Sequence, residues 1–252
     1  MSLTHAAHAR IESLASVLVR SPETEISRAL QGDTGSPLHA LLDLGREGAF
    51  SAAWAPFDWI NDRADIILVG VTPGIRQATD ALTELRRRLS IGASIEKAAE
   101  AAKVHASFAG MRTLAARLMD GLGFAPAFGL SSCDELFGSA ASRVHSTSVL
   151  RFPVLKNGRN FSGDRRIMKR PMMRAMVYEH LVPELSALPN AWIVPFGINA
   201  LTVLETLVTE GHVSGDRLLG GVLHPSGQQW NRHNVQLGVT SGAEALKVAG
   251  GR

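Results

Sequence analysis

The chain has 252 residues, 45% of them hydrophobic and 19% charged, with a formal charge of +3 and a mean hydropathy of +0.07. That balance belongs to a folded globular protein and excludes a disordered or largely membrane-embedded one; no apolar run approaches the roughly 20 residues a helical span needs. The single cysteine, Cys133, excludes an intramolecular disulfide and any all-cysteine metal or iron–sulfur site, and it suits a reducing cytoplasm.

The opening MSLTHAAHARIESLASVLVR has neither a basic n-region nor an apolar h-region, so it reads as a helix and not as a signal peptide. Ile11, Leu14 and Leu18 fall at helical spacing within it. Capping and turn residues follow over 21–37, and a short helix is expected over 37–47. Residues 1–60 are thus expected to be a helical segment packed on a core formed by 61–252, the whole making one globular unit.

From there the pattern is α/β. IILVG (66–70) reads as a buried strand. IRQATDALTELRRRL, ASIEKAAEAAKV and MRTLAARLMDGLG read as helices, and RVHSTSVLRF (143–152) has strand composition. A helix MMRAMVYEHLVPEL, a strand AWIVPFG, a helix NALTVLETLVTEG and a last strand LLGGVLHP (218–225) complete the core. The tail from 230 to 248 reads as helical, broken at GVTSG. Four short apolar strands alternating with helices predict a three-layer α/β/α sandwich with a four-stranded, mainly parallel central sheet. Right-handed crossovers put every strand's carboxyl end on one edge, where ligands bind in open sheets. VTPG after the first strand and HPSGQQWNRHN after the last both fall there.

Charge is clustered. Residues 156–170, KNGRNFSGDRRIMKR, hold six basic side chains against one acid, and ELRRRL (84–89) forms a second knot. Runs of this kind are commonly solvated faces; beside a pocket they become a footprint for a polyanion.

Four segments together resemble the uracil-DNA glycosylase superfamily, most nearly its iron–sulfur-type members. Gly70-Val71-Thr72-Pro73-Gly74 resembles the first motif, a Gly-x-x-Pro-Gly turn. Ala106-Ser107-Phe108-Ala109-Gly110-Met111-Arg112-Thr113-Leu114 resembles a Pro-Phe-Val-Gly-Arg stretch that opens a helix, and Ser146-Thr147-Ser148-Val149-Leu150-Arg151 stands where those members carry Thr-Asn-Val-Val-Lys. His224-Pro225-Ser226-Gly227 resembles the His-Pro-Ser motif. The set covers about residues 64 to 240 in order. The resemblance implies extrusion of a damaged, deaminated base from DNA and hydrolysis of its N-glycosidic bond, as in base excision repair, with no cofactor.

Mapped residue by residue, it makes His224 the electrostatic group at the departing base and Thr72 the residue at the water position. Phe108 becomes the stacking ring, with Ser148, Gly70 and Val71 completing the base pocket. Pro73, Gly74, Pro225, Ser226 and Gly227 would hold phosphate, and Gln228, Gln229 and Trp230 are the wedge candidates. Lys156, Arg159, Arg165 and Arg166 would meet the DNA backbone. Each also has a structural reading: Phe108 as core, His224 as a strand-end histidine, Ser226 as a helix cap, Trp230 as a cover for the sheet edge.

The sequence departs from the family at three points. Val71 and Thr72 stand where an acid or amide is expected, which removes general-base help of about 10²–10⁴-fold. Ser148 replaces the asparagine that reads the base edge, and the cluster cysteines are missing. A non-catalytic nucleic-acid or nucleobase-binding module on the same fold is therefore the alternative. A nucleotide enzyme is less well matched, because neither Gly-x-x-x-x-Gly-Lys-Ser/Thr nor Gly-x-Gly-x-x-Gly follows the first strand. His145, His224 and His233 lack metal-ligand spacing, and no Gly-x-Ser-x-Gly elbow occurs. DNA is the expected partner, with no metal, no membrane and a monomeric, cytoplasmic protein.

Overall fold

The computed structural model describes residues 3–226 and 230–250. It is a mixed α/β protein with two sheets. Strands β1 (Asp43–Glu47), β2 (Phe50–Ala53), β5 (Val154–Lys156) and β6 (Arg159–Asn160) form an antiparallel sheet, while β3 (Ile66–Gly70) lies between β4 (Val144–Ser148) and β7 (Trp192–Pro195) in a parallel one.

The parallel sheet has three strands, not the expected four. The 218–225 segment runs beside β7 but pairs with it through a single bridge, Ile193 to Leu218. Leu219 N–H donates to Ile193 O and Gly197 N–H donates to Val222 O, both at 2.8 Å. Between these two ties lie Gly220 and Gly221, which bring no side chains to pack on the pleated surface, and the ladder is interrupted.

β3 is buried throughout, and its side chains alternate between two cores. Ile67 and Val69 join the larger core; Ile66 and Leu68 join the smaller one. The larger core takes the buried stripes of the Ile75–Ser90, Ile95–Ala106 and Ile198–Thr209 helices, and the smaller takes Ala115, Ala116, Leu118 and Met119 from the Arg112–Asp120 helix. Apolar burial on both faces is what makes the strand read as a continuous hydrophobic run.

The N-terminal 60 residues are not wholly helical. His5–Arg20 and Glu23–Leu30 are helices that bury Ile11, Leu14, Leu18 and Ile26 in the larger core. The helix expected over 37–47, however, lasts one turn (His39–Leu42) before β1 begins at Asp43. β1 pairs with β2 next to it in the chain, and β2 pairs in turn with β5 far along it, and this sheet pairing outweighs the local preference.

The long helix over 171–186 passes through a π-helical turn at Val177–Leu181. Pro183 has no N–H to donate, so the ladder widens for one turn. No helix among the described residues is long and apolar enough to cross a membrane.

Candidate base-binding pocket

A pocket of about 440 Å³, counted to its open mouth, lies at the carboxyl edge of the parallel sheet. Gly70, Val71, Thr72 and Pro73 line it from the turn after β3, Phe108 from the loop after the Ile95–Ala106 helix, Ser148 from the end of β4, and His224 from the segment beside β7. Those are the four segments that carry the resemblance, and they converge because all lie at strand or helix carboxyl ends on one edge.

Phe108 is 6% exposed and adopts φ 53°, a left-handed conformation rare for a bulky side chain. Its ring packs edge-on against Phe196, with centroids 5.1 Å apart. It also lies over Gly70: a Cβ built there would meet the ring at 3.7 Å and Ser148 Oγ at 3.2 Å. The pocket floor at this point exists because residue 70 has no side chain.

Burial, with a smaller push from His233, holds the His224 imidazole below its ordinary range, so at pH 7 the ring is mostly neutral. Its backbone oxygen faces His233 Nε2 at 2.9 Å. Gly197 lets this segment approach, since a Cβ there would stand 3.0 Å from His224 Cβ.

Thr72 commits its hydroxyl to the backbone: Oγ1 donates to Phe152 O at 2.9 Å and accepts the Val154 N–H at 3.1 Å. It staples the turn to β5. Gly74 and Ile75 open the next helix, and their N–H groups go to Gln77 Oε1 at 3.1 Å and Asn160 Oδ1 at 3.0 Å, so these donors are taken within the protein.

Pro225 is buried and Ser226 half-buried; Gly227, Gln228 and Gln229 lie outside the described residues. Trp230 opens the Trp230–Gln236 helix and is 63% exposed, so it does not cover the sheet edge.

The two basic runs part company. β5 and β6 form a hairpin whose Asn157–Gly158 turn has positive φ at both positions. The loop beyond it crosses the pocket's turn so closely that a Cβ on Gly163 would meet Val71 Cγ1 at 2.7 Å. Lys156, Arg159, Arg165 and Arg166 are exposed on this element, and none is in an ion pair among the described residues; Arg170 takes Asp164 at 2.7 Å. In the other run, Arg87 and Arg88 both pair with Glu84 at 2.7 Å and hold its carboxyl near a pKa of about 2, while Arg86 donates to Ser21 O. That knot closes the far end of a helix some 24 Å long, away from the pocket.

Behind the pocket's inner wall is a buried ionic cluster that the motifs did not indicate. Glu184 receives Lys103 at 2.9 Å, His145 at 2.6 Å, Thr147 at 2.7 Å and Arg151 at 3.0 Å. Arg151 also reaches Asp58 at 3.3 Å and the His180 carbonyl, within the π-helical turn, at 2.8 Å. Burial alone would raise the Glu184 carboxyl, but Arg151, Lys103 and His145 hold it well below the usual carboxylate range. Lys103 and Arg151 line the pocket as well. One sequence signal did exist: Lys103 falls on the buried stripe of its helix, between Ala99 and Ala106.

No family model and no solved structure matches the chain. It is similar to the uncharacterized protein YoxB of Bacillus subtilis (strain 168), with 31% identity over 193 residues that cover 75% of each chain. The chain belongs to the same family as YoxB.

Proposed function

We propose that this protein is a diverged uracil-DNA-glycosylase-like protein on an α/β/α frame, one that binds DNA and takes an extruded base into the pocket beneath Phe108. The observation that carries this reading is the convergence of Gly70–Pro73, Phe108, Ser148 and His224 around one pocket, beside a basic element whose exposed Lys156, Arg159, Arg165 and Arg166 are in no ion pair among the described residues. The Phe108 ring stacks on the base. His224, neutral and half-buried, donates a hydrogen bond to the oxygen where the departing base gathers negative charge. Lys156, Arg159, Arg165 and Arg166 meet phosphate.

Thr72 is assigned no part in activating water, because its hydroxyl holds the turn. Any hydrolysis rests on stacking and electrostatics without a general base. The same observation favours a second reading, a module that holds an extruded base without turnover.

Incubation with single- and double-stranded oligonucleotides carrying uracil, hypoxanthine, xanthine or hydroxymethyluracil separates the two. Alkali-labile scission that disappears in His224→Ala is the expected sign of an enzyme. Salt-dependent retention without scission points to the binding module. The absence of both scission and retention would remove both readings.

A further inference from the structure

Lys103 is 2% exposed, yet it lines both the pocket and a second cleft that shares Ser107 and Ser146 with it. Its ammonium has three N–H groups. One goes to the Trp59 carbonyl at 2.7 Å and one to Glu184 Oε1 at 2.9 Å. The third has His145 Nε2 nearby at 3.5 Å, but that nitrogen is not an acceptor. The Asn61 backbone N–H donates to His145 Nδ1 at 3.3 Å, so in the neutral ring the hydrogen sits on Nε2, which gives it to Glu184 Oε1 at 2.6 Å.

The carboxylates behind Lys103 are already occupied. Glu184 accepts from Lys103 and His145 on one oxygen and from Thr147 and Arg151 on the other. Asp58 accepts from Arg151 and from Trp54 Nε1. Arg151 lines the same pocket, and its buried Nε has no partner among the described residues. The inner wall therefore carries two cationic side chains, each with a donor left over. Buried donors of this kind call for an acceptor.

We propose that Lys103 is the specificity-determining residue of the pocket: its third N–H donates to an oxo oxygen on the edge of the ligand ring, and an amino group in the same place is rejected. This rests on the reading above only in taking the ligand to be a base. It gives the edge-reading task, for which Ser148 has one short hydroxyl, to a lysine outside all four motifs. An oxo oxygen completes the ammonium's hydrogen bonds, whereas an amino group would set donor against donor.

The test uses two matched pairs of free bases as probes, hypoxanthine against adenine and uracil against cytosine, with binding followed by calorimetry on the full chain. The wild type is expected to hold the oxo member about tenfold or more tightly in at least one pair, the scale of a hydrogen bond from a charged donor. Lys103→Met should reduce that preference to less than about twofold. Because that variant leaves Glu184 short of a counter-charge, Lys103→Met with Glu184→Gln, checked for folding by circular dichroism, provides the second readout.

A preference that survives in the folded double variant overturns the proposal. So does a wild type that favours the amino member, makes no distinction, or binds none of the four. Salt-dependent retention of an oligonucleotide on the same preparations keeps the two questions separate: DNA held without any oxo preference defeats the role of Lys103 and leaves the glycosylase-like reading standing.

Discussion

At position 72 the hydroxyl serves two backbone partners, Phe152 O just before β5 and the Val154 N–H at its first residue. Thr72→Ser keeps both hydrogen bonds. Thr72→Val keeps the shape but leaves a partly buried donor and acceptor unmatched, which costs about 1–3 kcal/mol. Thermal unfolding should therefore show a clear fall in midpoint for valine and a small one for serine. At position 145 the consequence is a pH dependence. Burial, helped by Lys103, lowers the His145 imidazole to about 4. An unfolded histidine takes up a proton near pH 6.5, while the folded one stays neutral until about pH 4. Across that window the unfolded chain binds more protons, so stability is full above pH 6.5 and is lost as pH falls toward 4. The loss is on the order of 3 kcal/mol. Glu184, whose carboxyl is held low, adds a further loss at still lower pH, of the same sign. Denaturant titrations at pH 7.5 and pH 4.5 measure the difference; equal stability at the two would contradict the buried neutral histidine.

Among the elements, the basic hairpin is the one whose position decides its meaning. Phe50 and Phe161 meet edge-on at 5.4 Å, and the Arg170 guanidinium lies 4.6 Å from the Phe50 ring, so the element is pinned. Asn160 reaches the start of the next helix at Ile75, and Gly163 touches Val71. If this element meets phosphate, Lys156→Ala with Arg159→Ala should weaken binding to every DNA sequence alike. It should also lower the slope of log K against log salt by about 2. Elements also mark how far the sequence was legible. β3 and the helices after it follow directly from apolar periodicity, since each buries a face. The antiparallel sheet did not show itself, because DLGRE has no alternating pattern and the β1–β2 pair extends into a sheet only through β5, far along the chain. Its one local signal was the Asn157–Gly158 turn between VLK and RNF. The 218–225 segment has the apolar residues of a strand, but they flank two glycines at which the ladder breaks.

At the scale of the whole molecule, one sheet edge gathers the turn after β3, the end of β4, Phe108, His224 and the basic hairpin. The pocket was largely legible, because motif residues fall where strands end and parallel topology brings those ends together. The cluster behind it was not. Lys103 and Glu184 are 81 positions apart, and nothing in a single sequence pairs them beyond a lysine on an alanine-lined helix face. The architecture also supplies a way to close the pocket without disturbing the frame. Gly70 faces Ser148 Oγ and the Phe108 ring, so Gly70→Ala puts a methyl group at the floor while the strand keeps its hydrogen bonds. The most direct measurement is equilibrium binding of two otherwise identical oligonucleotides, one with a single hypoxanthine and one without, to wild type and Gly70→Ala across a salt series. The expected result is a wild-type preference for the modified strand that Gly70→Ala loses, while both proteins keep the same salt-dependent affinity for plain DNA. No preference in the wild type, or a preference untouched by the added methyl, would contradict a pocket that holds an extruded base.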